Sequence, residues 1–330
     1  MIITRTPVRI SFLGGGTDYP AYFLKQGGQT LAATIDKYTI ITVHPLTQFA
    51  DYRLRVHYSQ VESVGRVDEI QHPSARECLR HLEIDGGVEI HYISDLPART
   101  GLGSSSSATV GLLMALKAFK GETAPREQVA REAVHVEQKL IKENIGCQDQ
   151  YACALGGLLH LEFDPSGTVK ANPVQVTFER LKVLEARLML LYTGIQRHAH
   201  EVLGEQIRRT ASGANGKELA DMKSLVAEGA KLLAGRGDLS RFGGLLHENW
   251  MLKRRLSSRV TTPWIDDLYD KARKAGAVGG KLLGAGGGGF FLLDVEPERR
   301  ESVKKALPEL PEVKFSFENS GCQLIVTSPA

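Results

Sequence analysis

Cysteine is scarce in this 330-residue chain: four residues, at 78, 147, 153 and 322, with no CxxC spacing. That excludes a zinc-ribbon framework and a disulfide scaffold, and a reduced, cytoplasmic setting is expected. No run approaches the roughly 18 apolar residues of a membrane helix. The opening stretch, MIITRTPVRISFLGGG, lacks the apolar segment of a signal peptide. An excess of one charge is missing too. Forty-one Lys and Arg stand against 38 Asp and Glu, for a net charge of +3. With no aromatic-basic stripe and no acidic tail, neither nucleic acid nor a membrane surface is an expected partner. The short basic clusters Arg208-Arg209, Lys253-Arg254-Arg255 and Arg299-Arg300 sit in helix-like stretches and read as solvated faces. Internal repeats and disordered tracts are also absent.

What is present is enough apolar residue, 42%, for about two domains at this length. Ile2–Leu13, Thr30–His44, Leu54–Ser59 and Val88–Ser94 read as strands, with GGGTDYP breaking the first pair. Helices are predicted near Ser74–Leu82, over Ser105–Phe119, and from Pro125 through Val129, Ala133, Val136 and Leu140 at helical spacing. Gly156–Phe163 reads as a strand and RLMLLYTG from Arg187 as a buried one. Helical patterns then run to about Gly276, broken near Ser212–Gly216, Gly235–Gly237 and Ser257–Pro263. The glycine-rich AVGGKLLGAGGGGFFLLDV follows, then a short helix from Pro297 and strands near Val313–Phe317 and Gln323–Thr327. Strands on both sides of a helical block indicate an α+β fold rather than a doubly wound one. The division is expected between Phe163 and Arg187, giving domains 1–178 and 179–330.

Three glycine loops carry the chemistry. In PARTGLGSSSSATVGLL, from Pro97, two glycines and four serines lead directly into an apolar helix. A helix start offers unpaired N–H groups and partial positive charge, while Gly101 and Gly103 allow close backbone approach. Ser104 to Ser107 add hydroxyls able to reach a phosphate or a metal, or merely to cap a turn. The lysine of GxxxxGK[ST] is missing. Gly284–Gly289 does fit GxGxxG, but the strand-like FFLLDV after it excludes a dinucleotide fingerprint, which should open a helix. Seven glycines in the eleven residues from Gly279 exceed what a hairpin needs, and indicate close packing against another backbone or a ligand. The third loop is Gly14-Gly15-Gly16 before Thr17-Asp18-Tyr19-Pro20. Asp18 could organise that turn or accept hydrogen bonds from substrate hydroxyls.

In this order the three segments resemble the motifs of the GHMP small-molecule kinases. Arg5–Arg9 through Thr17-Asp18-Tyr19 is similar to the first motif, Pro97 through Ser105 to the second (P-x-x-x-G-L-G-S-S), and Leu283 through Gly289 to the third. Val8 replaces a common glycine and Ser106 a common alanine. TPVRISFLGGGTDYPAYF and YTGIQRHAHEVLGEQ look most like the heptose-phosphate kinases, with the L-fucose kinases as the alternative. The resemblance implies an N-terminal domain like the second domain of ribosomal protein S5. It also implies a ferredoxin-like C-terminal domain, an active site between the two, and ATP and Mg²⁺ as cofactors.

It further implies roles. Pro97, Gly101, Leu102, Gly103, Ser104, Ser105 and Ser106, with Gly286 and Gly287, would hold the nucleotide. Ser105 and Glu137, twelve residues before Asp149, would hold magnesium. Asp149 would accept or orient the sugar hydroxyl, with Arg9 beside it. Asp18, Gly16 and Thr17 would grip sugar hydroxyls, and Thr193, Gly194 and Arg197, with His198, a substrate phosphate. His198 and His200 could equally be ordinary helix-surface residues. Lys281 would approach the nucleotide. The expected partner is a small-molecule sugar phosphate, and a homodimer is compatible with the reading.

Overall fold

The computed structural model describes residues 1–47, 49–196 and 199–327. A long antiparallel pair, β1 (Ile2–Leu13) and β2 (Gly28–Pro45), forms its backbone; the short helix α1 (Pro20–Gln26) fills the connection. At 18 residues, β2 outruns any single neighbour. β3 (Leu54–His57) and β4 (Val61–Val64) form an edge hairpin, followed by α2 (Pro73–His81) and β5 (Val88–Ser94). β5 takes the C-terminal half of β2 from Thr39 to Pro45, and β3 pairs parallel to β5. Then come α3 (Ser104–Phe119), α4 (Arg126–His135), a π-helical turn (Val136–Leu140), α5 (Gln148–Leu155), and the strands β6 (Leu158–Phe163) and β7 (Val169–Pro173). β6 takes the N-terminal half of β2, from Gly28 to Ala33.

Period-two alternation decides the faces of this sheet. Ile41, Val43, Leu54, Val56, Val88 and Ile90 are buried under the α2–α5 layer with Val110, Leu112 and Leu116. On the opposite face of β1 and the start of β2, Val8, Ile10, Phe12, Leu31 and Ile35 pack against the second half of the chain.

That half begins with α6 (Phe178–Arg187) and β8 (Leu188–Tyr192), then α7 (Ala199–Ala211), α8 (Gly216–Ala234), α9 (Ser240–Lys253) and α10 (Pro263–Lys274). β9 (Ala277–Leu282) and β10 (Phe290–Val295) complete a three-stranded antiparallel sheet of order β8-β10-β9, and α11 (Arg300–Ala306) follows. The last strand, β11 (Gln323–Thr327), returns to pair with β1. The chain therefore crosses between its two layers twice, at α6 and again before β11, and a single cut after residue 178 does not separate them.

Two local expectations are corrected. The helix from Pro125 does not run unbroken to Leu140; it converts to π geometry at Val136. Val313–Phe317 is not a ladder strand: Phe317 makes only an isolated bridge, to Ile35. α1, α5, α6, β4 and β7 carried no strong periodic signal, being short. Among the described residues no helix is long and apolar enough to cross a membrane, and all four cysteines are free and buried.

Candidate active site

α3 starts at Gly103, a left-handed residue with φ of 73° that offers no side-chain cap. The four serines split their tasks, because successive helical residues point 100° apart. Ser107 donates to the Thr6 carbonyl at 3.0 Å and anchors the helix to β1. Ser106 donates to Glu137 at 2.8 Å. Ser104 is half-buried and Ser105 exposed, at the open end of the helix. An uncapped N-terminus with exposed hydroxyls beside it is suited to an anion. Leu102, by contrast, is wholly buried in the core between the layers, and its carbonyl accepts the Arg9 N–H at 2.9 Å. Thr100 closes the turn onto the Pro97 carbonyl at 2.9 Å. These two residues shape the loop from behind.

Arg9, on β1, and Asp149, in the first turn of α5, form a bidentate ion pair. Nε lies 2.9 Å from Oδ1 and Nη2 2.6 Å from Oδ2. The third guanidinium nitrogen, Nη1, donates to the Gly101 carbonyl at 2.8 Å. One arginine therefore ties Asp149 to the phosphate-type loop. Asp149 keeps a quarter of its side chain exposed while Arg9 is buried, so the carboxylate has a side left open.

Asp18 lies next to it. Its carboxylate accepts the Gly16 N–H at 2.9 Å and the Gln148 N–H at 3.3 Å, and Gln148 directly precedes Asp149. Gln148 is held in turn by the Ser11 hydroxyl at 2.8 Å. Burial pushes the Asp18 carboxyl above its usual range, the Gly16 amide opposes this, and the charge of Asp149 adds to it. Thr17 faces inward instead: its hydroxyl sits between the Gly14 and Gln29 carbonyls and braces the turn.

Glu137 is fully buried. It sits on the π-helical turn, a distortion frequent at functional sites. It accepts from Ser106, from Thr109 at 2.8 Å, and from the Gln150 amide. Burial raises its carboxyl to about 7 against those three hydrogen bonds. The hydroxyl that faces it is that of Ser106, the position of the unusual serine, and not that of Ser105. The donor set nevertheless fits a hard cation. It is all oxygen at the acceptor end, and Gln150 Oε1 is buried with no hydrogen-bond partner among the described residues. The exposed Ser105 hydroxyl lies on the open side of the same helix turn.

The glycine-rich loop packs onto the serine loop. A Cβ on Gly284 would lie 2.4 Å from the Gly101 Cα, and one on Gly101 would lie 2.7 Å from the Leu283 carbonyl oxygen. Gly287 donates its N–H to the Val260 carbonyl at 2.9 Å, and a Cβ on Gly286 would clash with the same carbonyl. The Gly287 amide and the tight backbone at Gly286 serve loop packing. The Thr193 hydroxyl donates to the Gly289 carbonyl at 2.8 Å, which ties the β8 end to this loop, while Gly194 beside it stands open. Arg197 and His198 lie outside the described residues, as does the His200 side chain.

Two lysines depart from expectation. Lys281 is buried and donates to the Ser11 and Phe12 carbonyls at 2.8 and 2.9 Å, so it is a strut between the layers. Lys253, expected on a solvated face, is also buried and donates to the Gly284 carbonyl. Burial pulls its ammonium down to about 8, Arg9 adds to this, and Asp18 and Asp149 oppose it. It is a buried cation near Arg9, Asp18 and Asp149 that sequence reasoning missed. Of the run Lys253-Arg254-Arg255 only Lys253 lies in α9, where it follows Phe242, Leu246, Asn249 and Trp250 along the buried face at helical spacing. Gln148 and Gln150, flanking Asp149, were missed as well; their only signal was polar side chains beside a candidate site residue.

Residues 72–157 match the GHMP kinases N terminal domain and residues 222–312 the GHMP kinases C terminal domain. A D-glycero-alpha-D-manno-heptose 7-phosphate kinase of Campylobacter jejuni is 30% identical over 317 residues, 93% of each chain. An L-fucokinase/L-fucose-1-P guanylyltransferase of Bacteroides fragilis is 27% identical over 92% of this chain, which spans only 36% of that larger protein. Among solved structures, a D-glycero-D-manno-heptose 1-phosphate kinase of Bacteroides thetaiotaomicron superposes with a TM-score of 0.81 over 99% of this chain and 100% of that one, at 24% identity. The chain belongs to the GHMP kinases, a family of ATP-dependent phosphotransferases.

Proposed function

We propose that the protein transfers the γ-phosphate of ATP to the anomeric hydroxyl of D-glycero-D-manno-heptose 7-phosphate. The product would be the 1,7-bisphosphate, a precursor for nucleotide-activated heptose. The observation that carries the reading is the convergence of Asp18, Asp149 and Arg9 beside the uncapped start of α3. The full-length similarity to a heptose 7-phosphate kinase supports the choice of sugar.

Phosphoryl transfer asks mainly for positioning and charge stabilisation. The first-turn amides of α3 and the Ser104 and Ser105 hydroxyls would receive the triphosphate. Glu137 and Ser105 would hold magnesium, with Ser106 orienting the carboxylate; the cation, when bound, would spread charge on the transferred group. Arg9 occupies one lone pair on each oxygen of Asp149, leaving another to accept a sugar hydroxyl and align it. Asp18 would take a second hydroxyl. Lys253 would add positive charge toward a substrate phosphate.

ADP release across a panel of sugars and sugar phosphates tests the proposal. Turnover of heptose 7-phosphate well above L-fucose and galactose is expected. The L-fucokinase similarity makes L-fucose the second reading, and turnover of unphosphorylated L-fucose but not heptose phosphate would reverse the order.

A further inference from the structure

We propose that the open face of the first sheet carries a transition-metal site, suited to zinc, built from His44, Glu89 and His91, with His57 beside them. Strand register brings the four together. His44 on β2 pairs with Glu89 on β5; His91 is two residues further along β5, on the same face; His57 on the parallel β3 pairs with His91. Their neighbours Val43, Val56, Val88 and Ile90 point into the core under α3. The cluster therefore lies on the face of the sheet away from α3 and Glu137.

Three imidazoles converge on one carboxylate. Glu89 Oε1 is 3.0 Å from His91 Nε2 and 2.9 Å from His57 Nε2, and Oε2 is 3.8 Å from His44 Nε2. The ligand atoms of His44, Glu89 and His91 all lie within 4.8 Å of one another. Zinc bonds of about 2.0–2.1 Å in a tetrahedron place neighbouring ligand atoms about 3.3 Å apart, and these separations bracket that spacing. The rings of His57 and His91 stack at 4.1 Å and 10°, so their nitrogens point in parallel, and His57 supports the site through its contact with Glu89 Oε1 rather than as a ligand.

His44 supplies the independent observation. Its Nδ1 lies 3.0 Å from the Pro45 carbonyl, which can only accept. The proton is therefore on Nδ1, the arrangement by which backbone carbonyls set the tautomer of metal-bound histidines. In the neutral ring Nε2 then faces Glu89 Oε2 as acceptor against acceptor, and a cation between them satisfies both. Imidazole-rich sites suit zinc, copper or nickel, whereas the oxygen donors around Glu137 suit magnesium. A bound ion would clip β2 to β5, with His57 of the edge strand β3 held to the site through Glu89.

The test uses the full chain stripped of metal, titrated with zinc chloride against a chromophoric chelator and, separately, with cobalt(II) chloride. One equivalent of zinc is expected, together with a rise in the thermal midpoint and a cobalt spectrum of tetrahedral intensity. Glu89→Gln and His91→Ala should each weaken zinc binding at least tenfold while leaving magnesium-dependent ADP release unchanged; their midpoints without zinc report whether they fold. Absence of saturable zinc binding to the wild type would overturn the proposal. So would undiminished affinity in both variants, or zinc affinity that falls only with Glu137→Gln.

Discussion

Arg9 and Asp149, separated by 140 positions in the chain, meet side-on through two hydrogen bonds of 2.9 and 2.6 Å, and the same guanidinium holds the Gly101 carbonyl. Asp149→Asn turns one acceptor into a donor facing a donor. Turnover is expected to fall by about a hundredfold to ten-thousandfold while an unreactive ATP analogue still binds. Arg9→Lys cannot reproduce the fork; it should lower kcat by at least tenfold with KM for ATP little changed. Steady-state kinetics beside calorimetric titration of the analogue check both, and full activity in Asp149→Asn would remove this residue from the mechanism.

Glu137 makes stability depend on pH. Its folded value of about 7 lies above the ordinary 4.5, so the folded protein binds the proton more tightly than the unfolded chain. The stabilisation is complete below about pH 4.5 and is lost as pH rises through about 7, a total on the order of 3 kcal/mol. Glu137→Gln should flatten that slope and be the more stable protein at pH 8, since Gln150 can turn its unpaired Oε1 toward the new amide. Magnesium should raise the wild-type midpoint more at pH 8 than at pH 5 and leave the variant unmoved. Denaturation across pH 4–9, with and without the cation, reads this; parallel profiles for the two proteins would exclude it.

Gly101 has a φ of 87° and presses against Leu283 and Gly284. Gly101→Ala imposes a strained backbone, costing about 1–3 kcal/mol, and pushes the two loops apart. A lower thermal midpoint and weaker binding of the ATP analogue are expected together. A midpoint unchanged from wild type would mean that the loops do not need this close approach.

Lys253→Met removes a buried charge at little cost in volume. The ammonium is held at about 8 rather than 10.5, chiefly by burial, so it disfavours folding below pH 8 and the penalty fades between pH 8 and 10.5. The variant should therefore equal or exceed wild-type stability at pH 7, yet lose at least tenfold in kcat/KM, mostly through KM for a phosphorylated sugar. Unaltered kinetics would return Lys253 to a purely structural role.

Much of this was readable in the linear chain because it rests on short-range chemistry. Glycines at 101 and 103 before an apolar helix, the GGGTDYP turn and the glycine excess after 279 state their own backbone requirements, and period-two and helical spacing placed most long elements. The composition of the glycine-rich loop called for close packing against another backbone or a ligand, and the structure shows the backbone of the serine loop there. Tertiary structure decided which partners those groups meet: that Ser106 faces Glu137, that Lys281 and Lys253 turn inward, that Arg9 reaches Asp149, that β11 closes on β1, and that three histidines share one carboxylate. Local propensity acts over a turn of helix or a pair of strand residues. Those meetings depend instead on strand register and on which face is buried, quantities that exist only once distant segments have packed.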